Sequence, residues 1–141
     1  MQGPRHTPLV WLVADGVRPY MILVVDDYLE SLETVADALG ALGFTVNIAF
    51  DGREAIERAI ANGPDVIVMD LAMPRLDGLA ATRMLKKDPR TSAIPVVLYT
   101  AHAGIELGAL ARAAGCAAVV KKGTPPSALM AAVSDALSGN T

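Results

Sequence analysis

Three carboxylates, a hydroxyl and an amine stand at the ends of short apolar runs, a distribution suited to handling a phosphoryl group. Val66-Ile67-Val68-Met69 leads into Asp70, and Met21-Ile22-Leu23-Val24-Val25 leads into Asp26-Asp27. Thr100 closes a third run that begins near Ile94, and Lys121-Lys122 closes a fourth. Carboxylates brought within a few ångströms raise one another's pKa or require a cation. A hard divalent ion with oxygen ligands meets that need, and Mg2+ takes one or two carboxylates together with water and a phosphate oxygen. One of the three would then serve as a nucleophile toward phosphorus, since aspartyl phosphate formation is an established covalent route. The metal offsets the repulsion between an anionic nucleophile and an anionic phosphoryl group. A lysine and a hydroxyl from the far side would hold the remaining phosphate oxygens.

Each residue also has a plainer reading. Asp26 and Asp27 precede a helix, where acidic residues are common as caps. Asp70 could cap the helix that follows its strand, Thr100 could be a strand-end hydroxyl, and Lys122 a solvated surface lysine. Those readings leave unexplained why all of them fall at the same edge of one sheet.

The elements that must position these groups alternate at short spacing. Met21–Val25 reads as a strand, followed by Leu29, Leu32, Val35, Leu39 and Leu42 at helical spacing up to Gly40 and Gly43. The stretch 44–49 alternates as a strand, Asp51-Gly52 turns the chain, and Arg53–Ala61 forms a helix stopped by Asn62-Gly63-Pro64. The Asp70 strand reads as buried on both faces, and Pro74 and Asp77-Gly78 break it. Leu79, Met84 and Leu85 mark a third helix. A fourth strand over 94–100 tolerates Pro95 near its start, and a helix from about Gly104 to Ala114 is weakened by Gly104 and Gly108. Ala117–Val120 is the fifth strand, and Pro126 opens a last helix with Leu129, Met130, Val133 and Leu137 on its inner stripe. Five strands alternating with five helices predict a parallel sheet covered on both faces, with right-handed crossovers. In such sheets the working groups lie outside the carboxyl ends of the strands, where these residues fall.

A length of 141 residues fits one domain with its own core. Hydrophobic residues make up 52% and charged residues 19%, yet no apolar run approaches the roughly 18 residues of a membrane span. A net charge of −3 argues against nucleic-acid binding. One cysteine, Cys116, excludes an internal disulfide framework and a multi-cysteine metal site, which fits a reduced, cytoplasmic protein. Residues 1–20 carry three prolines and a short apolar piece containing Trp11, but neither a signal-peptide charge pattern nor a cleavage site. They are expected to be an extension ahead of a domain spanning 21–141.

From Met21 onward the chain resembles the receiver domain of two-component response regulators. The matches are Leu23-Val24-Val25-Asp26-Asp27, Asp70 with Met73-Pro74 and Asp77-Gly78, Pro95-Val96-Val97 with Thr100-Ala101, and Ala114-Gly115 before the last strand and lysine. The resemblance implies a doubly wound, flavodoxin-like (βα)5 fold of strand order 2-1-3-4-5, which sets strands 1 and 3 side by side. It implies that Asp70 is the phosphoacceptor. Asp27 would bind Mg2+ directly and Asp26 largely through water, and the carbonyl of Ala72 would give a further metal ligand. Thr100 would hydrogen-bond a phosphoryl oxygen with help from the Ala101 amide, and Lys122 rather than Lys121 would be the site lysine. The alignment of Ala114-Gly115 and Pro126 favours Lys122, and strand alternation allows only one of the pair to face the site.

Two positions depart from the family pattern. Gly123 stands where proline usually follows the lysine, and Val119 stands where the family usually has Tyr or Phe as a rotamer switch. The glycines of helix 4 suggest that this helix orders or shifts instead.

The resemblance implies a stand-alone phosphorylation-controlled signalling module. A sensor histidine kinase or a histidine phosphotransfer protein would donate the phosphoryl group, and the altered surface would signal to a downstream protein target. The resemblance leaves open whether two copies pair through helix 4, strand 5 and helix 5. Competing readings are a receiver fragment of a longer regulator and a degenerate receiver used only for docking. A phosphatase of the haloacid-dehalogenase type needs a second Asp two residues after the nucleophile, where Ala72 stands. A flavodoxin-like FMN binder needs a hydroxyl-rich phosphate loop where Asp26-Asp27 would repel phosphate.

Overall fold

The computed structural model describes residues 19–139. Ten elements alternate: β1 (Met21–Val25), α1 (Leu29–Ala41), β2 (Thr45–Ala49), α2 (Gly52–Asn62), β3 (Val66–Met69), α3 (Gly78–Lys87), β4 (Val96–Thr100), α4 (Ile105–Ala114), β5 (Ala118–Lys121) and α5 (Pro126–Leu137). The strands form one sheet of order β2-β1-β3-β4-β5, with every neighbouring pair parallel.

Alternation along each strand divides the core in two. On one face Leu23, Val25, Ile67, Met69, Val96 and Leu98 pack against Ala55, Ala59, Ala81, Leu85, Leu107 and Ala111 of α2, α3 and α4. On the other, Ile22, Val24, Val66, Val68, Val97 and Val120 pack against Leu32, Val35, Leu39, Leu129 and Val133 of α1 and α5. The central strands β1, β3 and β4 are the most apolar stretches because both of their faces are covered. Each fully buried aliphatic side chain contributes about 1.5–3 kcal/mol relative to exposure.

Element ends follow their capping chemistry. The Asp51 carboxylate accepts from Glu54 N at 2.8 Å and starts α2 at Gly52, one residue ahead of the expected span, and the helix runs one residue beyond that span to Asn62, where the left-handed Gly63 ends it. Asp77 caps α3 through Ala80 N. Strand β4 starts at Val96 because Pro95 has no N–H to donate, although its carbonyl still accepts from Ile67 N at 3.0 Å. Strand β2 starts at Thr45, leaving Phe44 buried ahead of it, and β5 covers Ala118–Lys121 rather than Ala117–Val120.

Three expected inner-stripe leucines and methionines lie outside. Leu29 is 53% exposed in the first turn of α1, Leu42 is 46% exposed past its end, and Met84 is 43% exposed one residue out of phase with buried Leu85. In α5 the buried third position is Ala136, with Met130 and Leu137 at the margin of the core. Of the expected extension, residues 1–18, with Trp11, lie outside the described residues. Tyr20 is partly buried against the core, and its carbonyl accepts from Thr45 N at 3.0 Å.

Candidate functional site

The register of the sheet aligns the strand ends that carry the carboxylates. Val25 of β1 faces both Ala49 of β2 and Met69 of β3. The next residues continue the ladder: Asp26 N donates to Ala49 O at 3.1 Å and Asp70 N to Val25 O at 2.9 Å. Asp26, Asp70 and Lys122 continue the alternation of Val24, Val68 and Val120, so all three belong to the sheet face covered by α1 and α5.

The side chains converge there. One carboxylate oxygen each from Asp26, Asp27 and Asp70 lies within 4.8 Å of the other two. Lys122 Nζ donates to Asp26 Oδ2 at 2.7 Å and stands 3.6 Å from Asp70 Oδ2. Its ammonium lies over the Tyr99 ring, with Nζ 5.9 Å from the ring centroid. Lys121 is exposed on the opposite face, as alternation requires.

Neither Asp26 nor Asp70 is held as a helix cap. Asp26 is 4% exposed, and its Oδ1 accepts from Tyr28 N at 2.9 Å. The N-cap of α1 is Tyr28, which makes no side-chain cap bond, and the N-cap of α3 is Asp77. Asp70 Oδ1 accepts from Leu71 N at 2.8 Å. Burial pushes the Asp70 carboxyl above the ordinary carboxylate range; the Lys122 ammonium opposes that and the Asp26 charge adds to it.

The charge balance bears on a metal. Three carboxylates face one ammonium, and Asp27 is exposed at the mouth of the cluster. The donors are all hard oxygens, so the residues fit a divalent cation such as Mg2+ and fit a soft metal poorly.

Thr100 and the loops flank the cluster. Thr100 is 1% exposed, its Oγ1 accepts from His102 N at 3.3 Å, and its carbonyl accepts from Lys122 N at 2.8 Å. No hydrogen bond joins its hydroxyl to a carboxylate of the cluster among the described residues. Ala72 and Ala101 are exposed in the loops after β3 and β4. Val119 is partly buried against the α4 side of the core.

Two supports were not visible in the sequence. Gly78 comes so close to the Asp70 carbonyl that a Cβ at this position would collide with it, and Gly78 N donates to Leu71 O at 2.8 Å. Arg75, at φ 68°, bonds Asp51 Oδ2 at 3.1 Å and ties the loop after β3 to the start of α2. The Asp77-Gly78 pair signalled a turn, but nothing in the order of residues signals which carbonyl the glycine must clear.

A model of the response regulator receiver domain matches residues 22–134. The chain belongs to this family. Receiver domains are signalling modules of two-component systems, and the relatives fit that description. The response regulator PleD of Caulobacter vibrioides is 43% identical over 83 residues, covering 59% of this chain and 18% of PleD. Protein PilH of Pseudomonas aeruginosa is 42% identical over 79 residues, covering 56% of this chain and 65% of PilH. The receiver fold is shared with the solved chemotaxis protein CheY4 of Vibrio cholerae at a TM-score of 0.79 and 26% identity, covering 84% of this chain and 98% of that one. The receiver match thus spans less than two thirds of either curated relative. No described helix is long and apolar enough to cross a membrane.

Proposed function

We propose that this receiver accepts a phosphoryl group on Asp70 from a phosphohistidine and passes the signal to a protein partner by a change of surface. The observation that carries the reading is the Lys122 ammonium shared between Asp26 and Asp70, at 2.7 and 3.6 Å, beside a third carboxylate. In the transfer an O–P bond forms at Asp70 as the P–N bond to the donor imidazole breaks. The electron pair leaves with the nitrogen, which then carries a proton. Asp26, Asp27, Asp70 and the carbonyl of Ala72 would hold Mg2+, which supplies charge neutralisation for the phosphoryl oxygens.

The protein's own groups do the rest. Lys122 balances charge on the far side of Asp70 and is placed to pair with a phosphoryl oxygen. The Thr100 hydroxyl and the Ala101 amide would hold another, drawing the start of the β4–α4 loop toward the site. A doubly charged phosphoryl group in place of a singly charged carboxylate, together with that displacement, biases a two-state surface near α4. The donor is a sensor histidine kinase or a histidine phosphotransfer protein, and the recipient is another protein. A single buried, free Cys116 fits a reducing cytoplasm.

Incubation with acetyl phosphate and Mg2+, read by intact mass, tests the reading. One phosphoryl adduct on the wild type, none on Asp70→Asn and none with chelator are expected. An unmodified wild type would instead favour a docking module that works without phosphorylation.

A further inference from the structure

Lys122 has a third neighbour that carries no charge. Its Nζ lies over the Tyr99 ring, 5.9 Å from the centroid, within the range at which an aromatic face attracts a cation. The register of the sheet brings the two together. Tyr99 of β4 stands opposite Val120 of β5, and Lys122 comes two residues later on the same face. Tyr99 is partly buried against the core on the α1 and α5 side. No hydrogen bond joins its hydroxyl to Lys122 among the described residues, so the ammonium meets the ring rather than the phenol.

The ring and the carboxylates act on the ammonium in different ways. The bond from Nζ to Asp26 Oδ2, at 2.7 Å, occupies one of its three N–H donors. Attraction to a ring face acts on the charge as a whole and leaves the donors for oxygen atoms. A lysine side chain turns about a flexible four-carbon stem and is strongly hydrated, so orientations that leave the site compete with those that stay. The Lys122 side chain is 22% exposed, which keeps that competition open. A ring under the ammonium favours the orientations that stay. A leucine in its place would fill the same part of the core but has no face to offer a cation.

We propose that Tyr99 is a positioning residue for Lys122, its ring holding the ammonium beside Asp26 and Asp70 through a cation–π contact. The contact adds to the hold of the carboxylates and does not replace it. Its consequence for phosphoryl transfer rests on the reading of Asp70 as the phosphoacceptor. At a partly solvated site such a contact shifts the population of held lysine by about two- to fivefold.

The full chain is compared as wild type, Tyr99→Phe, Tyr99→Leu, Lys122→Met and the Tyr99→Leu/Lys122→Met double variant. The deciding measurement is the loss of unfolding midpoint on Tyr99→Leu in Mg2+-free buffer, with and without the lysine. A cation–π contact makes the loss smaller in the Lys122→Met background, whereas a ring that only packs the core makes it equal. Equal losses overturn the proposal whatever the labelling rates, and so does a Tyr99→Phe variant that loses as much as Tyr99→Leu. Labelling of Asp70 by acetyl phosphate with Mg2+ is expected to slow by about two- to fivefold in Tyr99→Leu and to keep the wild-type rate in Tyr99→Phe. A wild type that takes label at the same rate as Tyr99→Leu overturns the positioning role. A wild type that takes no label overturns the phosphoacceptor reading, and the Mg2+-free comparison still decides whether the ring holds the lysine.

Discussion

Lys122 Nζ is nearer to Asp26, at 2.7 Å, than to Asp70, at 3.6 Å. Asp26 is the more buried partner and is fixed through Tyr28 N, so it anchors the ammonium and leaves Asp70 the looser share. The arrangement leaves Asp70 Oδ2 close to a positive charge without a short hydrogen bond committed to it.

Removing the lysine leaves a buried carboxylate pair without its cation. Lys122→Met is expected to destabilise the Mg2+-free protein by about 1–3 kcal/mol, below the figure for a fully buried pair because the lysine is partly solvated. Adding Asp26→Asn to that variant should recover part of the loss. Urea unfolding of wild type, Lys122→Met and the double variant measures both, and an equal or greater loss in the double variant would refute the anchor role of Asp26.

The raised carboxyl of Asp70 sets a pH dependence. Burial makes the folded state hold this proton more tightly than the unfolded chain does. Ionising Asp70 therefore opposes folding, with no effect below the ordinary carboxylate pKa and full effect above the raised one. Without Mg2+, the midpoint of Asp70→Asn should match wild type near pH 3 and rise above it toward pH 7. Thermal scans across that range check the sign; a gap that closes as pH rises would contradict it.

Divalent cation should act in the opposite direction. Free Mg2+ at about 100 times its Kd stabilises the fold by about 2.7 kcal/mol if it binds the folded chain alone. Asp27→Ala removes the exposed carboxylate of the cluster and is expected to abolish most of that gain with little effect on Mg2+-free stability. Differential scanning calorimetry at increasing Mg2+ reads both quantities.

Gly78 gives a test of geometry. A methyl group at that position would meet the Asp70 carbonyl, so Gly78→Ala must displace the end of β3 or the start of α3. A cost of about 1–3 kcal/mol is expected, together with slower labelling of Asp70 by acetyl phosphate. A variant with wild-type midpoint and labelling rate would show that this loop gives way without moving the site.

The order of residues by itself determined the alternation of strands and helices, the buried strands β1, β3 and β4, and the candidate groups at their ends. Those are local matters: apolar runs of strand length, turn residues and helical spacing act over a few residues each. Where several weak signals overlapped, at Leu29, Leu42 and Met84, a leucine or methionine near helical phase still lay outside, because burial depends on what covers the helix.

Only the tertiary structure decided which groups meet. Asp26 and Lys122 are 96 residues apart in the chain, and their 2.7 Å contact exists because β1, β3, β4 and β5 lie side by side in one sheet and alternation puts both residues on the same face. The collision that reserves position 78 for glycine and the Arg75–Asp51 tie between loops have the same origin. Strand periodicity states which face a side chain takes. The distance to its partner depends on register and packing across the sheet, which no local pattern encodes.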